Sequence, residues 1–346
     1  MSLSKLCLTL VVVLQAGCSV WFQKEGTVLI REPSESTYKA HTDADEVRTL
    51  SKKYWPYTAL AANAYQLSWP DYKQELQLAN ERTRQSTLDE KFAQACKPGS
   101  KELLPTPGWY AWTKFPTEAL AKRAEAAKLF FSVWEYRTRN DPENVSEIAI
   151  VFRGTEADQR QDWFSNARWF IPAWLRGEDQ YDVTRDWVSR AIEAEIQDRI
   201  REGKLLPTVK IVAIGHSLGG GLAQQLAYAM PKSVPHQIKV SKVIAFNSSP
   251  VTGWMSTANP PRDENTKGLA IDRIFEHGEA LAYIRLPINM VIPPHKRESA
   301  VRDVRFDLER TIGGVKNHGS LFFACRLAEV AGATKGVVNT ESFASE

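Results

Sequence analysis

The feature that most constrains this chain is a short apolar run that breaks into a serine flanked by glycines. Residues 211–214 have the pattern of a buried strand, Gly215-His-Ser217-Leu-Gly219 that of a sharp turn, and residues 222–230 that of a helix. Glycine at both ends of the turn lets the strand and the helix approach closely. This context predicts a serine nucleophile on the turn, with helix amides facing a developing oxyanion. A glycine-rich turn without a catalytic role is the alternative.

Composition supports a large globular domain and argues against a polyanionic partner. The chain has 346 residues, of which 43% are apolar and 25% charged, and its net charge is only +3. We therefore expect no nucleic-acid binding. Strand-like and helix-like segments alternate along the chain, which predicts an α/β fold with a mostly parallel sheet flanked by helices. The predicted strands are 129–137, 148–152, 211–214, 240–246, 271–275 and 301–308, and the predicted helices are 45–67, 71–95, 182–201, 222–230 and 320–331.

The amino terminus resembles a bacterial lipoprotein signal. Lys5 precedes an apolar run, Leu6 to Leu14, that is too short to span a bilayer, and Gln15-Ala-Gly-Cys18 follows with small residues before a cysteine. We expect residues 1–17 to be removed and Cys18 to be lipidated; an ordinary signal peptide cut near Ala16 is the alternative. The residue after the cysteine is Ser19 rather than aspartate, which by resemblance to lipoprotein sorting patterns favours the outer membrane.

The rest of the chain divides into a tether and one domain. Residues 18–45 are mostly polar and predict a tether, whereas residues 46–346 predict the folded domain, with 46–127 as its helical N-terminal part. Outside the signal segment and Cys18, the cysteines are Cys96 and Cys325. In an oxidising periplasm they form either a disulfide or two buried thiols, and the sequence leaves both open. It also leaves the oligomeric state open.

A nucleophilic serine needs a base, and the base needs an acid to orient it. His318 lies in a glycine-containing loop directly before the last predicted helix, which makes it the best candidate for the base. His295, beside two prolines and two cationic residues, is the main competitor. His216 is adjacent to Ser217, so its side chain is expected to point away from the turn, and we interpret it as structural.

The candidate acids lie between the serine and the histidine, as the chain order of α/β-hydrolases requires. Glu279 follows the turn after a predicted strand and is our first choice. Glu276 at the strand edge is second, and Asp272 and Asp303 are further alternatives.

Three motifs together resemble the class 3 lipases, the fungal triacylglycerol lipase type of α/β-hydrolase. They are Phe152-Arg-Gly-Thr155, then Asp162-Trp163 with Asn166, then Gly-His-Ser-Leu-Gly-Gly from Gly215. The resemblance extends over about residues 128–331 and implies an α/β-hydrolase fold with no metal and no organic cofactor. It also implies an oxyanion hole formed by the hydroxyl and N–H of Thr155 with the N–H of Leu218. Glu279 stands where the family usually has aspartate, and the family's Val-His-x-Gly-Phe signature is absent before Asp182.

Residues 163–175 are unusually rich in aromatic side chains. They predict either a flap over an acyl pocket, where tryptophan suits a lipid interface, or ordinary core.

These patterns predict a serine hydrolase that cleaves carboxylic esters of lipids, either a lipase or a phospholipase. A lipid anchor fits a membrane-borne substrate, because tethering raises the local concentration. The alternatives are a catalytically inactive lipoprotein that binds lipid and an acyltransferase that uses the same residues.

Overall fold

A computed structural model describes residues 25–84, 88–97, 99–138, 141–154, 179–279, 281, 300–308 and 318–333. Within these residues, nine strands form one sheet in the order β2-β1-β9-β8-β7-β6-β5-β4-β3. Strands β5 to β9 run parallel to one another, and the remaining pairs are antiparallel. The strands are β1 Thr27–Arg31, β2 Lys39–His41, β3 Trp109–Ala111, β4 Phe131–Thr138, β5 Asp141–Phe152, β6 Lys210–His216, β7 Lys242–Phe246, β8 Ala270–Glu276 and β9 Ala300–Asp307.

Helices cover both faces of the sheet. The helices are α1 Ala44–Asn63, α2 Tyr72–Arg84, α3 Leu88–Ala95, α4 Glu118–Ala126, α5 Gln180–Val183, α6 Ser189–Arg201, α7 Leu218–Ala229, α8 Arg262–Thr266 and α9 Ser320–Val330, with a π-helical turn, Thr184–Val188, between α5 and α6. Alternate residues of β6 illustrate the two layers: Ile211 and Ala213 pack toward α6 and α7, whereas Val212 and Ile214 pack toward α1 and α9. This two-sided burial explains the continuous apolar runs of the parallel strands. The predicted mostly parallel sheet flanked by helices is confirmed.

The prediction of a tether over residues 18–45 is wrong for its described part. Strand β1 pairs with β9, and β2 pairs with β1 at the edge of the sheet. Arg31 of β1 is 3% exposed because Asp303 of β9 lies 3.0 Å from it. The partner of Arg31 is remote in sequence, so local polarity concealed the strand.

Two further differences concern the start of α7 and the N-terminal part of the domain. The helix after the serine begins at Leu218 rather than at residue 222, so its first turn contains Gly219, which the sequence pattern placed in the turn. Strand β3 interrupts the N-terminal part that we expected to be helical.

The structure joins Cys96 and Cys325 in a disulfide, with their Cα atoms 5.9 Å apart. Among the described helices, none is both long and apolar enough to cross a bilayer.

Candidate active site

Ser217 occupies a strained turn between β6 and α7. Its φ of 57° and ψ of −126° lie outside the regions that residues other than glycine ordinarily adopt. A Cβ on Gly215 would collide with the backbone of Gly219, and a Cβ on Gly219 would collide with the backbone at the end of β5. The N–H of Ser217 donates to the carbonyl oxygen of Phe246, 2.9 Å away. Close packing of strand, turn and helix therefore holds the strained serine in place.

The candidate acid and base are in direct contact. Nδ1 of His318 lies 2.8 Å from Oε2 of Glu279, and both side chains are buried. The same carboxylate oxygen accepts a hydrogen bond of 2.9 Å from the N–H of Leu281. An ionised carboxylate only accepts hydrogen bonds, so Nδ1 of His318 carries the proton and Nε2 is the basic nitrogen. This is the protonation pattern that a general base requires.

The other candidate acids have different partners. Oε1 of Glu276 accepts a hydrogen bond from the N–H of Leu308 and so links the ends of β8 and β9. Asp272 lies 2.7 Å from Nζ of Lys242 and accepts a hydrogen bond from the Tyr54 hydroxyl. Asp303 is paired with Arg31 and Arg273. Glu279 is the candidate acid for which the structure shows a hydrogen bond with His318.

A comparison with known protein families identifies the family of the central part of the chain. Residues 149–267, from within β5 to just after α8, match the family model described as lipase (class 3). This stretch is a class 3 lipase domain. The chain therefore has the α/β-hydrolase fold, and its domain is of the lipase type of hydrolase. The chain matches none of the curated proteins with which it was compared.

The lipase match contains part of the predicted site. Ser217 and Leu218 lie within it, whereas Glu279 and His318 lie beyond its last residue. Leu218 is the first residue of α7 and is 8% exposed. Amides at the start of a helix have no partner within the helix, so the N–H of Leu218 is suited to an oxyanion. The catalytic roles of these four residues stay predictions.

Several predicted features lie outside the residues that the structure describes. They are Cys18 with the signal segment 1–17, the oxyanion candidate Thr155, the aromatic segment 163–175 and the alternative base His295. Gly154, directly before Thr155, is described. A Cβ on Gly154 would lie 3.0 Å from Cβ of Ser217, so the end of β5 adjoins the serine.

Sequence analysis misplaced one residue of the candidate site, His216, and missed another, Tyr65. The ring of His216 packs against that of His318, with centroids 4.8 Å apart, so it is not directed away from the site as we expected. Burial, with a smaller contribution from His318, holds the pKa of His216 well below its usual range. Tyr65, after the end of α1, lies with its hydroxyl oxygen 3.0 Å from Nδ1 of His216. The Gly-His-Ser motif itself could have drawn attention to His216, whereas Tyr65 carries no local signal.

Proposed function

We propose that the protein is a serine hydrolase that cleaves carboxylic esters of lipids through Ser217, His318 and Glu279. The observation that carries the proposal is the 2.8 Å contact between His318 and Glu279, buried in the same molecule as a serine on a strained strand–helix turn. The class 3 lipase match supports lipid esters as the substrate class. Lipases and phospholipases share this bond type, so both lie within the proposal.

Each residue has a distinct role in the proposed reaction. Nε2 of His318 takes the proton of the Ser217 hydroxyl as Oγ attacks the ester carbonyl carbon. The carbonyl π electrons move onto oxygen, where the N–H of Leu218 and the hydroxyl and N–H of Thr155 stabilise the oxyanion. Collapse expels the alcohol, which takes the proton from Nε2, and leaves an acyl-enzyme. Water, activated by His318, then releases the fatty acid and restores Ser217.

Glu279 serves the reaction without exchanging a proton. Its carboxylate is 0% exposed and is held by His318 and by the N–H of Leu281. A buried negative charge next to Nδ1 fixes the ring and stabilises the imidazolium that forms when Nε2 is protonated.

We place this activity at a membrane of the bacterial cell envelope. The support is the signal-like segment before Cys18 and the class 3 lipase domain that follows it. Lipidation of Cys18 would hold the domain beside its substrate and raise the local substrate concentration. We propose the outer membrane as the location of the protein.

The decisive experiment compares S217A with the wild type on a chain-length series of chromogenic esters and with a fluorophosphonate label. Loss of the nucleophile should lower kcat by at least about 10³-fold and abolish labelling. The matched control is S241A. It removes a hydroxyl group that donates to the carbonyl oxygen of Ile211 and lies just before β7, at the end of that strand remote from Ser217. Both ester hydrolysis and labelling should stay at the wild-type level. A wild-type protein that neither hydrolyses an ester nor accepts the label would exclude the enzymatic function.

A further inference from the structure

One hydroxyl group of Tyr65 contacts two parts of the candidate site, the backbone after β5 and the ring of His216. Its oxygen accepts a hydrogen bond of 3.1 Å from the N–H of Gly154, at the end of β5. The same oxygen lies 3.0 Å from Nδ1 of His216, and the two rings meet edge to face. Tyr65 lies well before residue 149, so it is contributed by a part of the chain that the family match does not include.

The hydrogen bond from Gly154 has a fixed direction. The N–H of Gly154 can only donate, so the phenol oxygen is its acceptor. The hydroxyl group also lies 3.0 Å from Nδ1 of His216 and 3.5 Å from the carbonyl oxygen of the same residue. Tyr65 thus restrains the orientation of the His216 ring.

The His216 ring in turn lies against the candidate base. The rings of His216 and His318 are 4.8 Å apart between centroids, at an angle of 48°. His216 is 3% exposed, and its lowered pKa keeps it neutral. A neutral ring supports the neighbouring imidazole by packing and does not repel the imidazolium that forms during catalysis.

We propose that Tyr65, acting through His216 and Gly154, is a positioning residue that aligns the base and the backbone beside the nucleophile. The inference rests on the proposed hydrolase function. On one side, Tyr65 restrains the backbone at Gly154, which adjoins Ser217 and leads to Thr155. On the other side, it fixes the ring against which His318 packs. Neither interaction requires Tyr65 to touch the substrate.

The test is Y65F, which removes only the hydroxyl group. Misalignment of the reacting groups raises the free energy of the transition state more than that of the bound ester. We therefore expect kcat to fall about 10- to 100-fold while KM changes less than about twofold. The matched control is Y72F, which removes a buried tyrosine hydroxyl bonded to the Pro116 carbonyl oxygen and should retain kcat. The urea-unfolding midpoints of both variants show whether a loss of kcat comes from misalignment or from lower stability of the fold.

A second variant keeps the proposal testable if Y65F does not fold. In H216N the ring that packs on His318 is lost while an amide group can still hydrogen-bond to Tyr65, so kcat should again fall with KM nearly unchanged. Y65F with wild-type kcat, or Y72F with an equal loss, would overturn the positioning role. Wild-type protein that hydrolyses no ester would instead refute the hydrolase function, and activity that persists in S217A would refute the role of Ser217, so these failures are distinguishable from a failure of the positioning role.

Discussion

At the scale of single residues, the choice between two neighbouring glutamates is the most informative test of the site. Glu279 and Glu276 are separated by one turn and are both buried, at 0% and 2% exposure. Glu279 contacts His318, whereas Glu276 accepts from the N–H of Leu308. We expect E279Q to lower kcat about 10²- to 10⁴-fold, because a neutral amide cannot stabilise the imidazolium. The measurement is steady-state ester hydrolysis.

The matched control for this prediction is E276Q. The glutamine amide oxygen can still accept from Leu308, so kcat should change less than about threefold. The reverse pattern, with the large loss in E276Q, would make Glu276 the acid. Sequence reasoning could name both glutamates but only rank them, because the path of the chain after β8 decides which carboxylate reaches His318.

At the scale of helices and strands, prediction succeeded where the pattern is local. The apolar runs of β5 to β8 and the helical spacing of apolar residues in α1 and α9 were enough to predict these elements. The residues that each element buries form a pattern in its own sequence. The start of α7 was missed because glycine is a poor helix former, yet Gly219 to Gly221 are helical. There the backbone of β5 leaves no room for a side chain on Gly219. Close approach of a remote strand overrides local propensity.

The missed strand β1 leads to a stability prediction. Asp303 of β9 is bonded to Arg273 and Arg31, and Tyr38 donates to it at 2.9 Å. D303N would leave two buried guanidinium groups without their shared counter-charge. We expect a loss of about 3–5 kcal/mol in the free energy of unfolding at pH 7, measured by urea titration.

The same carboxylate gives a pH dependence with a definite sign. Although burial opposes ionisation, Arg273 and Arg31 lower the pKa of Asp303 to about 2 from a usual value of 3.8. Its contribution to stability is therefore present above about pH 4 and is lost as the pH falls toward 2. The difference in unfolding free energy between wild type and D303N should narrow over this range. D198N, at an exposed pair with Arg201, is the control and should stay within about 0.5 kcal/mol of wild type at pH 7.

At the scale of the whole molecule, the N-terminal helices and the C-terminal helix form one support for the base. Helix α9 begins at Ser320, two residues after His318, and packs on α1 through small residues such as Ala59 and Ala324. The disulfide between Cys96, directly after α3, and Cys325 of α9 spans 229 residues of sequence. The family match contains none of these helices, so they extend the lipase domain beyond its matched span.

The disulfide should therefore stabilise both the fold and the placement of His318. A cross-link over so long a loop restricts the unfolded chain, and its loss is expected to cost about 2–5 kcal/mol in the free energy of unfolding. We expect reduced wild type and the C96S/C325S variant to unfold at similar, lower urea concentrations than the oxidised protein, and to lose ester hydrolysis over the same range. Since the variant lacks both thiols, it also serves as the control, because reductant should leave its unfolding midpoint unchanged. Equal midpoints for oxidised and reduced wild type would show that packing of α9 on α1 holds the base without the cross-link.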